Sequence, residues 1–69
     1  MSNSVYKIIE LVGSSTKSWE DAAENAVSKA SETLRDLRIA EVSAMDLHIK
    51  DGKIDSYRTK LKISFKFEG

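Results

Sequence analysis

The 69-residue chain has no cysteine and no proline, and only three glycines, one tryptophan and one histidine. Without cysteine it can form no disulfide, no thiolate metal centre and no cysteine nucleophile. That absence fits the cytoplasm. Acidic and basic residues balance at 11 each, so the formal net charge is zero. A dedicated nucleic-acid binder normally carries a basic excess, so nucleic acid is not an expected partner. No apolar run approaches the roughly 20 residues that span a bilayer. The opening MSNSVYKIIELVGSS lacks the basic segment and apolar core of a signal peptide. The expectation is one cytoplasmic domain over residues 1–69, with no membrane partner. A domain this small buries only about 60% of its unfolded surface. Such scaffolds usually need a disulfide, a metal or a partner subunit.

Four elements can be read from what is present. Val5 to Val12 is short, apolar and β-branched, which predicts a strand. Val5, Ile9 and Leu11 fall on one face, Tyr6, Ile8 and Val12 on the other. Gly13 to Lys17 has the composition of a loop. Ser18 is placed to cap the Asp21 N–H and open a helix, with Asp21 reaching back in a weaker form of the capping box. Trp19, Ala22, Ala23, Ala26, Val27, Ala30, Leu34 and Leu37 keep helical spacing, and the alanines allow close packing. Ile39 to Ile49 reads as a second strand of less regular pattern. Asp51-Gly52 is a two-residue hairpin signal. From Tyr57 to Phe67 apolar residues and Thr59 alternate with Arg58, Lys60, Lys62, Ser64 and Lys66, the period of a half-buried strand. The junction between helix and second strand, DLRIAEV from Asp36 to Val42, contains neither glycine nor proline.

The expected fold is therefore α+β, with β-α-β-β order and a three-stranded antiparallel sheet wrapped around one helix. A strand from Ile54 to Phe67 would run roughly 45 Å, against roughly 30 Å for a helix from Ser18 to Leu37. One helix cannot cover that sheet, and long exposed apolar strands pair with other chains. An obligate homo-oligomer is the expectation.

Residue types that carry chemistry are few. Ser14 and Lys17 precede a helix N-terminus, where anions bind, but the second glycine of a phosphate loop is missing. A plain loop with an N-cap is the first reading and an anion contact the second. Asp46 and His48 lie two residues apart on one strand, and Glu41 is close in sequence. Catalytic zinc centres use three protein ligands, so a divalent cation would need copies of Glu41, Asp46 or His48 to meet at a symmetry axis. Arg58, Lys60, Lys62 and Lys66 form a basic row without the interleaved aromatics that stack on nucleic-acid bases. Pairing with acids such as Glu41 is the ordinary explanation. Trp19 is expected to pack on the sheet edge or a neighbour. No Ser/His/Asp set or acid–base pair is legible, so the chain is not expected to be an enzyme.

VYKIIELVGSS, the alanine-rich helix ending TLRDLR, Glu41-Val42, the Asp51-Gly52 hairpin and YRTKLKISFKFE together resemble the dodecin family, over Val5 to Glu68. The resemblance implies a sheet wrapped around the helix and twelve copies forming a hollow shell. It also implies storage or buffering of flavins, stacked in pairs at two-fold axes; some members bind coenzyme A. The family's flavin-stacking tryptophan falls at Ile39, the often aromatic next position at Ala40, and the flavin-bonding glutamine at Arg58. An aliphatic side chain lacks the π face used in stacking, and Arg offers donors only. The expectation is a dodecameric small-molecule or ion-binding shell in which flavin binding is weak or lost. Altered flavin binding and a structural assembly with an unknown partner are the alternatives.

Overall fold

The computed structural model describes residues 3–67. The elements run β1 (Tyr6–Ser15), α1 (Trp19–Ser31), β2 (Leu37–Lys50) and β3 (Lys53–Lys66). All strand pairs are antiparallel, and β3 lies between β1 and β2. The β-α-β-β order and the single sheet match the expected architecture. Asp51 and Gly52 both take positive φ, 53° and 74°, as a tight turn matching strand twist requires.

Helix α1 opens as its sequence predicts. The Ser18 hydroxyl accepts the Asp21 N–H at 3.0 Å. The Asp21 carboxylate accepts the Ser15 hydroxyl at 2.6 Å, instead of returning to Ser18. The helix ends at Ser31, not at Leu37. The Ser31 hydroxyl donates to the Ser28 carbonyl at 2.8 Å. Glu32 and Thr33 donate to carbonyls three residues back, the tightening typical of a last turn. Leu34 and Leu37 still pack on the core, from outside the helix. Asp36 then turns the chain at φ 57°. Aspartate tolerates this left-handed conformation better than most residues, so the junction needs no glycine.

The core is small. Ala22, Ala26 and Ala30 face Thr59, Leu61 and Ile63 of the central strand, all buried. Ile9, Leu11 and Val27 close the cluster. Gly13 and Ser15, expected in a loop, extend β1 opposite Thr59 and Tyr57. Gly13 is there because α1 crosses it: a Cβ would collide with the Ala22 carbonyl oxygen.

Strand β2 differs from the other two. Thirteen of its fourteen residues are exposed. Register shifts at Leu37/Ile39 and Val42/Ala44 leave Arg38 and Ser43 unmatched on β2, and a third shift at His48/Ile49 skips Asp55 of β3. Each bulge switches which residues share a face, so Ala40 and Val42 are followed on the helix side by Met45 and Leu47. This is why its apolar pattern looks irregular. β1 stops pairing at Tyr57. The hairpin beyond is a bare two-stranded arm carrying Ile49 and Ile54, both more than half exposed. The whole body measures 53 × 20 × 16 Å, whereas a 13-residue helix covers about 20 Å.

Candidate functional site

Register assigns each candidate residue to a face. On the sheet surface away from α1, β3 presents Arg58, Lys60, Lys62, Ser64 and Lys66. Their cross-strand neighbours on β2 are Asp46, Ala44, Glu41 and Ile39, the last opposite Ser64. Glu10 stands opposite Lys62 from the other side. Thus the basic row of β3 is interleaved with acids contributed by both edge strands, and Lys62 has a carboxylate on either flank.

Arg58 is fully committed within the chain. Its Nε donates to Asp46 Oδ1 at 2.7 Å and its Nη2 to Oδ2 at 2.8 Å. This two-bond fork is the strongest ordinary geometry for a guanidinium and a carboxylate. It holds the Asp46 carboxyl below its ordinary value, chiefly by hydrogen bonding, and raises Arg58 in return. Both groups are solvent-exposed, so the contact orders side chains more than it stabilises the fold. With the folded pKa depressed, the pair's contribution is present above the unfolded carboxylate value and is lost as pH falls through the folded one. A carboxyl-carbon NMR titration is expected to place the Asp46 midpoint below the ordinary aspartate value. In Arg58→Gln it should move up; an unmoved midpoint would show that the pair does not form.

Asp46 also anchors the helix. Its backbone carbonyl accepts the Trp19 indole N–H at 3.1 Å. Trp19 meets Tyr57 edge to face with centroids 5.2 Å apart, and its own carbonyl accepts the Thr59 hydroxyl at 2.9 Å. The expected packing role of Trp19 is thereby specified as a brace between α1 and the hairpin. Trp19, Ala23, Val42, Met45 and Thr59 leave an open apolar cleft between α1 and β2.

The possible metal ligands separate. Asp46 is held by Arg58. His48 Nδ1 lies 3.1 Å from Asp55 Oδ2. Glu41 is at the level of Lys62, four β3 residues or about 13 Å along the strand from the level of Arg58. Among the described residues no three His, Asp or Glu side chains are grouped to hold a metal ion. Calcium takes six to eight oxygen ligands, and Glu41, Asp46 and His48 of one chain are not grouped to supply them. Sequence reasoning had no signal for the Arg58–Asp46 fork, because the bulge at Ser43 sets which β2 residue faces Arg58.

The loop before α1 is occupied by its own chain. Ser15 Oγ accepts the Lys17 N–H at 2.9 Å, and the Ser14 carbonyl accepts the Asn25 amide at 3.0 Å. Glu20 and Asp21 already complement the helix N-terminus. This geometry favours the plain capped loop over an anion contact at Ser14 and Lys17.

Ile39 is 67% exposed and lines a groove with Tyr6, Arg38 and Ser64. It shares its face with Arg58, but the two are about 20 Å apart along β3. Ala40 faces the helix side, opposite Ile63. A pocket using both Ile39 and Arg58 on one small ring would therefore need a second subunit.

Comparison with known proteins agrees with this geometry. A family model described as Dodecin matches residues 5–68. Calcium dodecin of Mycobacterium tuberculosis is 43% identical over 63 residues, covering 91% of this chain and 89% of that protein. The structure of dodecin from Streptomyces coelicolor superposes with a TM-score of 0.93 at 39% identity, over 100% of this chain and 99% of that one. The crystal structure of the calcium-chelating antigen calcium dodecin, described with a novel calcium-binding site, gives a TM-score of 0.85 at 45% identity, over 94% and 93% of the two chains. No helix among the described residues is long and apolar enough to cross a membrane.

Proposed function

We propose, since this chain belongs to the dodecin family, that it assembles into a hollow dodecamer and binds small molecules or ions at sites completed between subunits, without chemical conversion. The carrying observation is β2: an edge strand of fourteen residues, all but Leu37 exposed, displaying Ile39, Val42, Met45, Leu47 and Ile49. A monomer would leave these side chains, on both faces of the strand, in water next to unpaired backbone groups. Partner subunits would cover them and build the ligand sites at the same time. Lack of cysteine supports a cytoplasmic location.

In this reading, flavin binding is weak. Ile39 can cover a ring but cannot stack on it, and Arg58 is spent on Asp46. Light scattering should give a large particle, and riboflavin fluorescence should be quenched poorly. Ile39→Trp with Arg58→Gln should raise riboflavin affinity about tenfold or more, as expected from one aromatic stack plus one hydrogen bond. No gain would mean that more than these two side chains separates this pocket from a flavin site.

A second reading, a cation-binding shell, is favoured by the acids that flank β3. Glu41 and Glu10 give the level of Lys62 a net negative charge. Copies of that level meeting at an axis would concentrate carboxylates. Calcium titration of the assembled protein by calorimetry separates the readings. Heat that disappears in Glu41→Gln supports the cation site; no heat removes it.

A further inference from the structure

The helix side of the sheet carries two apolar features that do not meet. One is the cleft between α1 and β2, of about 310 Å³. Trp19, Ala23, Val42 and Met45 wall it, and Glu20 is the one charged residue in its lining. The other is the hairpin arm beyond the last β1 pair, Ser15 with Tyr57. There Ile49 and Ile54 are cross-strand partners. Alternation along β2 from Met45 through Leu47 puts Ile49 on the same side as the cleft.

Cleft and arm cannot satisfy each other within one chain. Ile49 lies four residues beyond Met45, about 13 Å along the strand, and the arm continues the same sheet. Their charges are complementary as well. Lys50 and Lys53 stand directly opposite each other next to the two isoleucines, and like charges so placed are destabilising. The turn between them contributes one carboxylate, Asp51, so the tip stays net positive. The first turn of α1, beside the cleft, carries Glu20 and Asp21.

We propose that the hairpin arm of one copy seats in the α1/β2 cleft of a second copy, with Ile49 and Ile54 against Trp19, Val42 and Met45 and the tip lysines near Glu20. This contact rests on the assembly proposed above and specifies which surfaces meet in it. It joins two different patches of the chain. It therefore closes either reciprocally about a two-fold axis or head to tail around a ring. Trp19 becomes a residue of the subunit contact in addition to bracing its own hairpin.

The test uses the absence of cysteine, which makes introduced thiols the only ones present. Met45→Cys with Ile54→Cys, and separately Val42→Cys with Ile49→Cys, are treated with a bis-maleimide shorter than about 13 Å, the spacing that bars linkage within one chain. These four positions are half-exposed or more in the single chain, so the fold should tolerate the changes. Denaturing gels should show most of the protein at two or more chain masses for both pairs, and at one chain mass for each single variant. Light scattering on untreated samples reads the assembly separately. A large particle that stays unlinked in both pairs would overturn the contact and leave the assembly standing. Equal linkage through Ile54→Cys alone would do the same, by showing arm packed against arm. Small species from the parent protein would remove the assembly and the contact with it.

Discussion

Gly13→Val is expected to destabilise the protein by about 3 kcal/mol or more, the upper range for overpacking a filled core. Gly13 faces α1 where the helix backbone comes nearest to the sheet. Its Cβ would collide with the Ala22 carbonyl oxygen, and would sit 2.9 Å from the Ala22 carbonyl carbon and 3.0 Å from the Ala26 side chain. Backbone cannot yield as a flexible side-chain tip can, so the helix must lift. Lifting it opens gaps along Ala22, Ala26 and Ala30, which hold most of the helix side of the core. Urea denaturation at fixed protein concentration checks this. A loss of that size moves the midpoint by about 1 M or more at the slopes usual for small domains. A midpoint within about 0.3 M of the parent would show that the helix moves at little cost. Gly52 provides the contrast. A Cβ there meets nothing within 4 Å, and only its φ of 74° resists substitution, so Gly52→Ala should cost about 1 kcal/mol.

The other large effect concerns assembly. Ile49→Asp with Ile54→Asp should convert the proposed large particle into small species. These two side chains are paired across the bare arm of the hairpin, where β1 no longer reaches, and are 63% and 53% exposed in the single chain. A two-stranded hairpin is marginally stable alone in water, so in the proposed assembly a partner surface stabilises the arm. Burying each isoleucine contributes about 1.5–3 kcal/mol, repeated in every subunit of a closed assembly. Two carboxylates placed there would have to be desolvated against an apolar surface. Multi-angle light scattering measures the outcome, with far-UV circular dichroism to register any loss of fold. Ile49→Val with Ile54→Val keeps the surface apolar and should retain the particle. An unchanged mass in the double aspartate variant would show that the arm lies outside the subunit contacts.

These two predictions differ in how far they could be seen without the structure. The overhanging sheet was legible from lengths alone, since a long alternating strand and one amphipathic helix cannot match. The role of Gly13 was not. Gly-Ser-Ser has the composition of a loop, and only the crossing helix reveals that the glycine makes room. The end of α1 was misplaced for a related reason. Leu34 and Leu37 continue the helical spacing because they pack on the same core, and spacing cannot tell a helical residue from one that returns to the core after a turn. On β2, the bulges at Arg38 and Ser43 reset the alternation twice. The partner of Arg58 therefore could not be counted along the sequence.

By itself the sequence determined the β-α-β-β order, the N-cap at Ser18, the Asp51-Gly52 turn, the buried face of β3 and the family. Each of these rests on local chemistry or on a period that survives in one dimension. The tertiary structure decided which polar groups are spent on one another. Asp46 occupies Arg58 and Ser15 occupies the loop amides. Charge pairing depends on strand register and on where the chain turns at Asp36. Those quantities are set by packing of the whole sheet on the helix, not by the order of neighbouring residues.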